Sequence, residues 1–120
     1  MNDELLEKSI TVFLDNIDFS KERLHAAWVE GYFTSVYLRA GSWRLDYTRQ
    51  PEPVVVIANV VVVTEMQHKG IHTNLIAFLC AQHTVMIENV IAGDYNYTKQ
   101  GFSLLENRKP DVCYLKRRIL

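Results

Sequence analysis

Apolar and polar positions change period several times along the chain, and each change marks an element. From Asp3 to Asn16, Leu6, Ile10, Phe13 and Leu14 recur at helical spacing, with Glu4, Glu7, Lys8 and Asp15 on the other side. This predicts an amphipathic helix whose apolar stripe needs a sheet to cover it. Leu24, Ala27 and Trp28 keep a helical spacing, so a second helix is expected over Lys21–Glu30, capped by Asp18 or Ser20 and stopped at Gly31. The period then becomes two. Tyr32, Thr34, Val36 and Leu38 alternate with Phe33, Ser35, Tyr37 and Arg39, and Trp43, Leu45 and Tyr47 alternate with Arg44, Asp46 and Thr48. With Ala40-Gly41-Ser42 as the turn between them, these runs predict an antiparallel hairpin.

The stretch from Pro53 to Gln82 organises the rest. Arg49-Gln50-Pro51-Glu52-Pro53 breaks the hairpin, because proline gives no N–H to a ladder. Next comes an unbroken run, Val54-Val55-Val56-Ile57-Ala58-Asn59-Val60-Val61-Val62-Val63, which is β-branched almost throughout and too short to span a bilayer. It fits a central strand covered on both faces. Thr64-Glu65-Met66 and the loop Gln67-His68-Lys69-Gly70-Ile71-His72-Thr73 then lead into the helical pattern Asn74–Cys80. Strand, glycine-containing loop and helix together are a phosphate-binding layout, since the first turn of a helix offers backbone N–H groups to an anion.

After the helix, His83–Val90 reads as a strand, and the crossover before it is long enough to make it parallel to the Val54–Val63 strand. Ala92-Gly93-Asp94 opens a short helix, Tyr95–Gln100, which ends at Gly101. Phe102–Leu105 and Val112–Ile119 read as two last strands around the turn residues Glu106–Asp111. The sum is one α+β domain over residues 1–120, a mainly antiparallel sheet with a central parallel strand pair and helices on both faces.

Composition narrows the partners. With 13 basic and 14 acidic residues the net charge is −1, which gives no general electrostatic reason to expect nucleic acid or a membrane surface. The one basic cluster, Lys116-Arg117-Arg118, is explained by exposure on a terminal strand. Cys80 and Cys113 have no His or Cys partner at metal-ligand spacing, so no metal is expected and both are read as buried free thiols in a reducing, cytoplasmic setting. The start, Met1-Asn2-Asp3-Glu4, lacks the pattern of a secretory leader.

Two segments in order resemble the GCN5-related N-acetyltransferase (GNAT) superfamily. The first family signature, Gln or Arg, two residues, Gly, one residue, then Gly or Ala, is matched at Gln67 and Gly70, and His72 stands where the family has a small residue. The second, a Tyr followed after three residues by Gly-Phe, is matched by Tyr97-Thr98-Lys99-Gln100-Gly101-Phe102. The resemblance covers Pro53–Phe102 and the terminal hairpin, and residues 1–52 in layout. It implies that acetyl-CoA lies where the Val54–Thr64 and Thr84–Val90 strands splay. Main-chain groups near Val61, Val62 and Val63 would meet the pantetheine arm, and Gln67, His68, Lys69, Gly70, Ile71, His72 and Thr73 would surround the pyrophosphate. It also implies that Tyr97 is the acid that protonates the departing sulfur.

Amide formation from a thioester needs a neutral amine, a polarised carbonyl and a proton for the thiolate. Many family members take the amine proton with a glutamate in the central strand, but Val54–Val63 holds no carboxylate and Asn59 is its only polar side chain. Glu65, Glu88, Asp46 and Glu30 are the alternatives, and none is singled out. The family's first strand is also absent or very short here, which leaves an edge for a partner chain, the first helix or charged residues to cover; a homodimer is one expectation. Trp28, Tyr32, Phe33 and Trp43 are candidates for lining an acceptor pocket. The expected function is transfer of acetyl from acetyl-CoA to a primary amine of unknown identity. The competing expectation is a GNAT-like binding or interaction protein with little catalysis, a form that would suit a viral or mobile-element product.

Overall fold

A computed structural model describes residues 1–45, 50–88, 97–105 and 113–118. The elements are α1 (Glu4–Asp15), β1 (Arg23–Glu30), β2 (Thr34–Trp43), β3 (Glu52–Val62), a 3-10 turn (Thr64–Met66), α2 (Ile71–Cys80), β4 (Val85–Ile87), a second 3-10 turn (Tyr97–Gln100), β5 (Ser103–Leu105) and β6 (Cys113–Lys116). The six strands form one sheet in the order β1-β2-β3-β4-β6-β5. Among the strands of the described residues only β3 and β4 pair in parallel, so the fold is the α+β arrangement expected, a mainly antiparallel sheet with a parallel pair inside it.

Alternation along the strands builds two apolar layers. Val36, Leu38, Val55, Ile57, Val85 and Ile87 face Leu6 and Ile10 of α1 and Leu75, Ile76 and Leu79 of α2. Val54, Val56, Met86, Cys113 and Leu115 form a smaller cluster with Leu45 on the opposite face. Among the described residues α1 and α2 both join the larger cluster. Cys113 is buried as expected and Cys80 is half-buried, and burial pushes the Cys80 pKa up. Among the described residues no helix is long and apolar enough to cross a membrane.

The segment expected to be a second helix, Lys21–Glu30, is an edge strand instead. Asp18 does not cap a helix there; its Oδ1 accepts the Ser20 N–H at 2.9 Å and the Ser20 hydroxyl at 2.6 Å, a turn that delivers the chain into β1. All eight residues of β1 pair with β2, with Ala27 opposite Leu38 and Val29 opposite Val36. So short a helix is marginal by itself, and ladder pairing with an adjacent strand outweighs a helical spacing of three side chains. The expected turn at Ala40-Gly41-Ser42 is also replaced: these residues are the interior of β2, which continues to Trp43. Gly41 has φ +153°, and an added Cβ would collide with the Arg23 carbonyl. The glycine therefore marks a close backbone approach and not a reversal.

Pro53 is likewise inside β3, opposite Ser42. The ladder with β4 begins only at Val55, so the proline falls outside the doubly paired part of the strand. The basic cluster near the C-terminus is tied down: Lys116 Nζ donates to the Gln100 carbonyl at 2.8 Å, Arg117 pairs with Glu52, and the Arg118 N–H donates to Thr84 Oγ1 at 2.9 Å. The expected segments Asn89–Asn96, Glu106–Val112 and Asp46–Arg49 lie outside the described residues.

One carboxylate joins the helical layer to the sheet. Asp3 is buried, caps α1 by accepting the Leu6 N–H at 3.2 Å, and accepts the N–H groups of Tyr32 at 2.9 Å and Phe33 at 2.7 Å in the β1–β2 turn. Gly31 is required beside it, since a Cβ there would run into the carboxylate. Burial by itself raises the Asp3 pKa, but the backbone donors of Phe33, Tyr32 and Leu6 outweigh it and hold the carboxyl below the usual range. A carboxyl whose folded pKa is depressed contributes stability that is present above its unfolded pKa of about 3.9 and lost as pH falls through the folded value. Urea denaturation followed by tryptophan fluorescence should therefore show Asp3→Asn less stable than wild type at pH 7, by about 1–3 kcal/mol. The gap should narrow below about pH 4, and a constant gap would contradict this role.

Candidate functional site

The candidate site begins where the cover of β3 ends. Val54, Val55, Val56 and Ile57 are buried on both faces. The register then slips: Leu38 pairs with Ile57 and Tyr37 with Asn59, so Ala58 is an extra residue, a β-bulge. The parallel ladder with β4 stops at the same level, with Val55, Val56 and Ile57 opposite Val85, Met86 and Ile87, and the Glu88 N–H donating to the Ile57 carbonyl at 3.0 Å. Beyond the bulge no strand pairs with that edge of β3 among the described residues. Burial accordingly falls to an alternation in which Val60 and Val62 are half-buried while Val61 and Val63 are exposed.

A cleft of about 600 Å³ opens along this uncovered end. Val60 and Val62 form one wall, and Met66, Gln67, His68, Gly70, Ile71, His72 and Thr73 form the rest. The chain is shaped for the turn into α2 by two left-handed residues, His68 at φ +62° and Gly70 at φ +83°. Gly70 precedes α2 without a side-chain cap, so the helix itself supplies no acceptor for the N–H groups of its first turn. No acidic side chain is among those nine lining residues, which suits an anion.

Seven of the expected residues, Val62, Gln67, His68, Gly70, Ile71, His72 and Thr73, thus meet at one cleft. Val61 and Val63 are exposed and their side chains are not part of the lining, and Lys69 is exposed with its carbonyl accepting the Met1 amino group at 3.1 Å. Two main-chain groups assigned by resemblance to the pantetheine arm already have protein partners. The Val62 carbonyl accepts from Gln67 Nε2 at 3.1 Å, and the Val63 N–H donates to the Phe33 carbonyl at 2.9 Å.

Tyr97, from the second 3-10 turn, is buried and reaches this site through His72: its hydroxyl lies 3.3 Å from His72 Nε2. Burial lowers the His72 pKa, so the ring is neutral near pH 7. Of the alternative carboxylates, Glu65 is exposed on the 3-10 turn, and Glu30 stands exposed at the end of β1, not on a helix. Glu88 is held by Arg39 at 2.5 Å, and Asp46 is outside the described residues. The aromatics proposed for an acceptor pocket do not line the cleft; Trp28 packs on Tyr37 at 5.2 Å and Tyr32 lies beside Phe33. Val60 and Met66 were not expected in the site. The half-buried Met66 in an otherwise polar loop was the available signal, whereas the bulge that turns Val60 inward has none.

No protein-family model matches the chain, and no curated protein sequence matches it. Among solved structures it is similar to Arabidopsis thaliana Naa50 in complex with the bisubstrate analogue CoA-Ac-MVNAL, at 17% identity and a TM-score of 0.37, over 75% of this chain and 74% of that one. So distant a likeness leaves the reading of the site to the chain's own residues.

Gly70 gives a direct check of the loop. Its Cβ would meet only the Met1 nitrogen, at 3.5 Å, so the cost of Gly70→Ala is conformational. Urea denaturation should show a loss of about 1–2 kcal/mol, from the left-handed backbone alone. No loss would mean that the loop does not hold this conformation.

Proposed function

We propose that the chain is an acetyl-CoA-dependent N-acetyltransferase acting on a primary amine. One observation supports the reading: the end of β3 and the Gln67–Thr73 loop line one cleft, and the Tyr97 hydroxyl lies 3.3 Å from His72 of that lining, although the loop and Tyr97 belong to separate sequence signatures. The cleft has the features the ligand would need. The uncapped first turn of α2 and the Gly70 loop offer donors to a pyrophosphate, and the edge of β3 beyond Ala58 offers main-chain groups to an amide-bearing arm. Gln67 would have to release the Val62 carbonyl for that arm to bind there.

In the reaction the amine nitrogen bonds to the acetyl carbon, the carbon–sulfur bond breaks, nitrogen loses a proton and sulfur gains one. Tyr97 is the proposed proton donor to sulfur, and the amine proton passes to water. Water suffices as acceptor if the amine arrives neutral.

Calorimetric titration with acetyl-CoA tests this first. Binding is expected, and no heat and no thermal shift at ~1 mM ligand would end the proposal. With binding established, Tyr97→Phe should lower kcat by about a hundredfold, the lower range of general-acid effects, while leaving acetyl-CoA affinity nearly unchanged. An unchanged kcat would remove Tyr97 from the chemistry.

A second reading has its own support. The described cleft lining includes no carboxylate, and Glu88 at the end of β4 is occupied by Arg39, which favours a protein that binds the coenzyme or a partner without turnover. Acetyl-CoA binding without thiol release in the presence of a panel of amines would select it.

A further inference from the structure

His72 is the residue by which this loop departs from the small side chain expected at its position, and the ring it introduces has a defined neighbour. It stands in the first turn of α2, lines the cleft, and brings Nε2 to 3.3 Å from the Tyr97 hydroxyl, with the two ring centroids 6.0 Å apart and tilted by 49°. Tyr97 is fixed from other sides by Phe102, edge-on at 6.0 Å, and by Tyr114 at 5.5 Å. With the phenol ring held in this way, its hydroxyl meets α2 at His72.

We infer that His72 is the positioning residue for Tyr97: its Nε2–H donates to the phenol oxygen and leaves the phenol proton directed away from the imidazole. The ring's burial keeps it neutral, so it carries a single N–H. Placed on Nε2, that proton serves the phenol oxygen; placed on Nδ1, it would make Nε2 an acceptor and tie up the phenol proton. The consequence for chemistry rests on the acetyl-transfer reading. As the carbon–nitrogen bond forms and the carbon–sulfur bond breaks, sulfur takes the Tyr97 proton, and nitrogen releases its own to water. The phenolate is held by the Nε2–H until water returns a proton to it. Hydrogen bonding to the charged form is what makes a phenol a better acid.

Two measurements on the full chain decide the matter. Nitrogen-15 NMR of the imidazoles at pH 7, with His72 assigned from the His72→Gln spectrum, should show the Nε2–H tautomer and a shift of Nε2 in Tyr97→Phe. The Nδ1–H tautomer, or an Nε2 indifferent to Tyr97→Phe, overturns the inference. Thioester turnover should fall about tenfold in His72→Phe with KM for acetyl-CoA within about twofold, and His72→Gln, which keeps a donor, should recover most of the rate. In the Tyr97→Phe background, His72→Phe should cost nothing further, because the two act as one unit. An equal loss in both backgrounds overturns the inference. A wild-type chain that binds no acetyl-CoA ends the acetyl-transfer reading instead, and the NMR result then decides on its own whether the pair is built as described.

Discussion

A strand can be buried on both faces only while both of its edges have neighbours to carry the covering layers. In β3 that condition holds for three residues, Val55, Val56 and Ile57, and Val54, paired with β2 alone, is buried just before them. Each apolar side chain taken fully out of water contributes about 1.5–3 kcal/mol, against which stands the entropy cost of ordering the residue. Both apolar layers meet on this short segment: the α1–α2 layer through Val55 and Ile57, the opposite cluster through Val54 and Val56. The bulge at Ala58 and the end of the β4 ladder stop this arrangement abruptly. Past that point the strand is still apolar in sequence but has fewer neighbours among the described residues, and the cleft opens beside it.

The parts of the fold legible in the sequence are those in which local pattern and tertiary environment ask for the same thing. Leu6 and Ile10 define a helical stripe and are buried as one, and the valine run is a strand that nothing else could be. The two misread segments share a cause. In β1, Leu24, Ala27 and Trp28 sit at helical spacing, but the register that decides their fate belongs to β2, out of reach of any local window. At Gly41 the glycine is there for the Arg23 backbone, not for a turn, and a sequence does not say which of the two a glycine serves.

The site was legible to the same extent. Loop residues whose role is carried by backbone geometry leave a strong mark, because left-handed positions and uncapped helix starts restrict the residue type; Gly70 is the clear case. Residues that matter through packing leave little mark. Val60 lines the cleft together with Val62 because Ala58 is extra, and Val61 and Val63, whose main chain was expected at the pantetheine arm, leave their side chains exposed. His72 departs in sequence from the small residue of the signature. In three dimensions it is the link between α2 and the tyrosine 25 positions further along the chain.

The Asp3 carboxylate has a further meaning for how the molecule opens. It caps α1 and holds the β1–β2 turn, while two residues earlier the Met1 carbonyl accepts Asn74 Nδ2 of α2 at 2.6 Å. The first three residues therefore tie together α1, the β1–β2 turn and α2. Fraying of this segment would not be a silent loss at a chain end: it would free the first turn of α1, the β1–β2 turn and a side chain of α2 together. The amides of Leu6, Tyr32 and Phe33, which lie far apart in sequence, would then exchange with solvent as one cooperative unit.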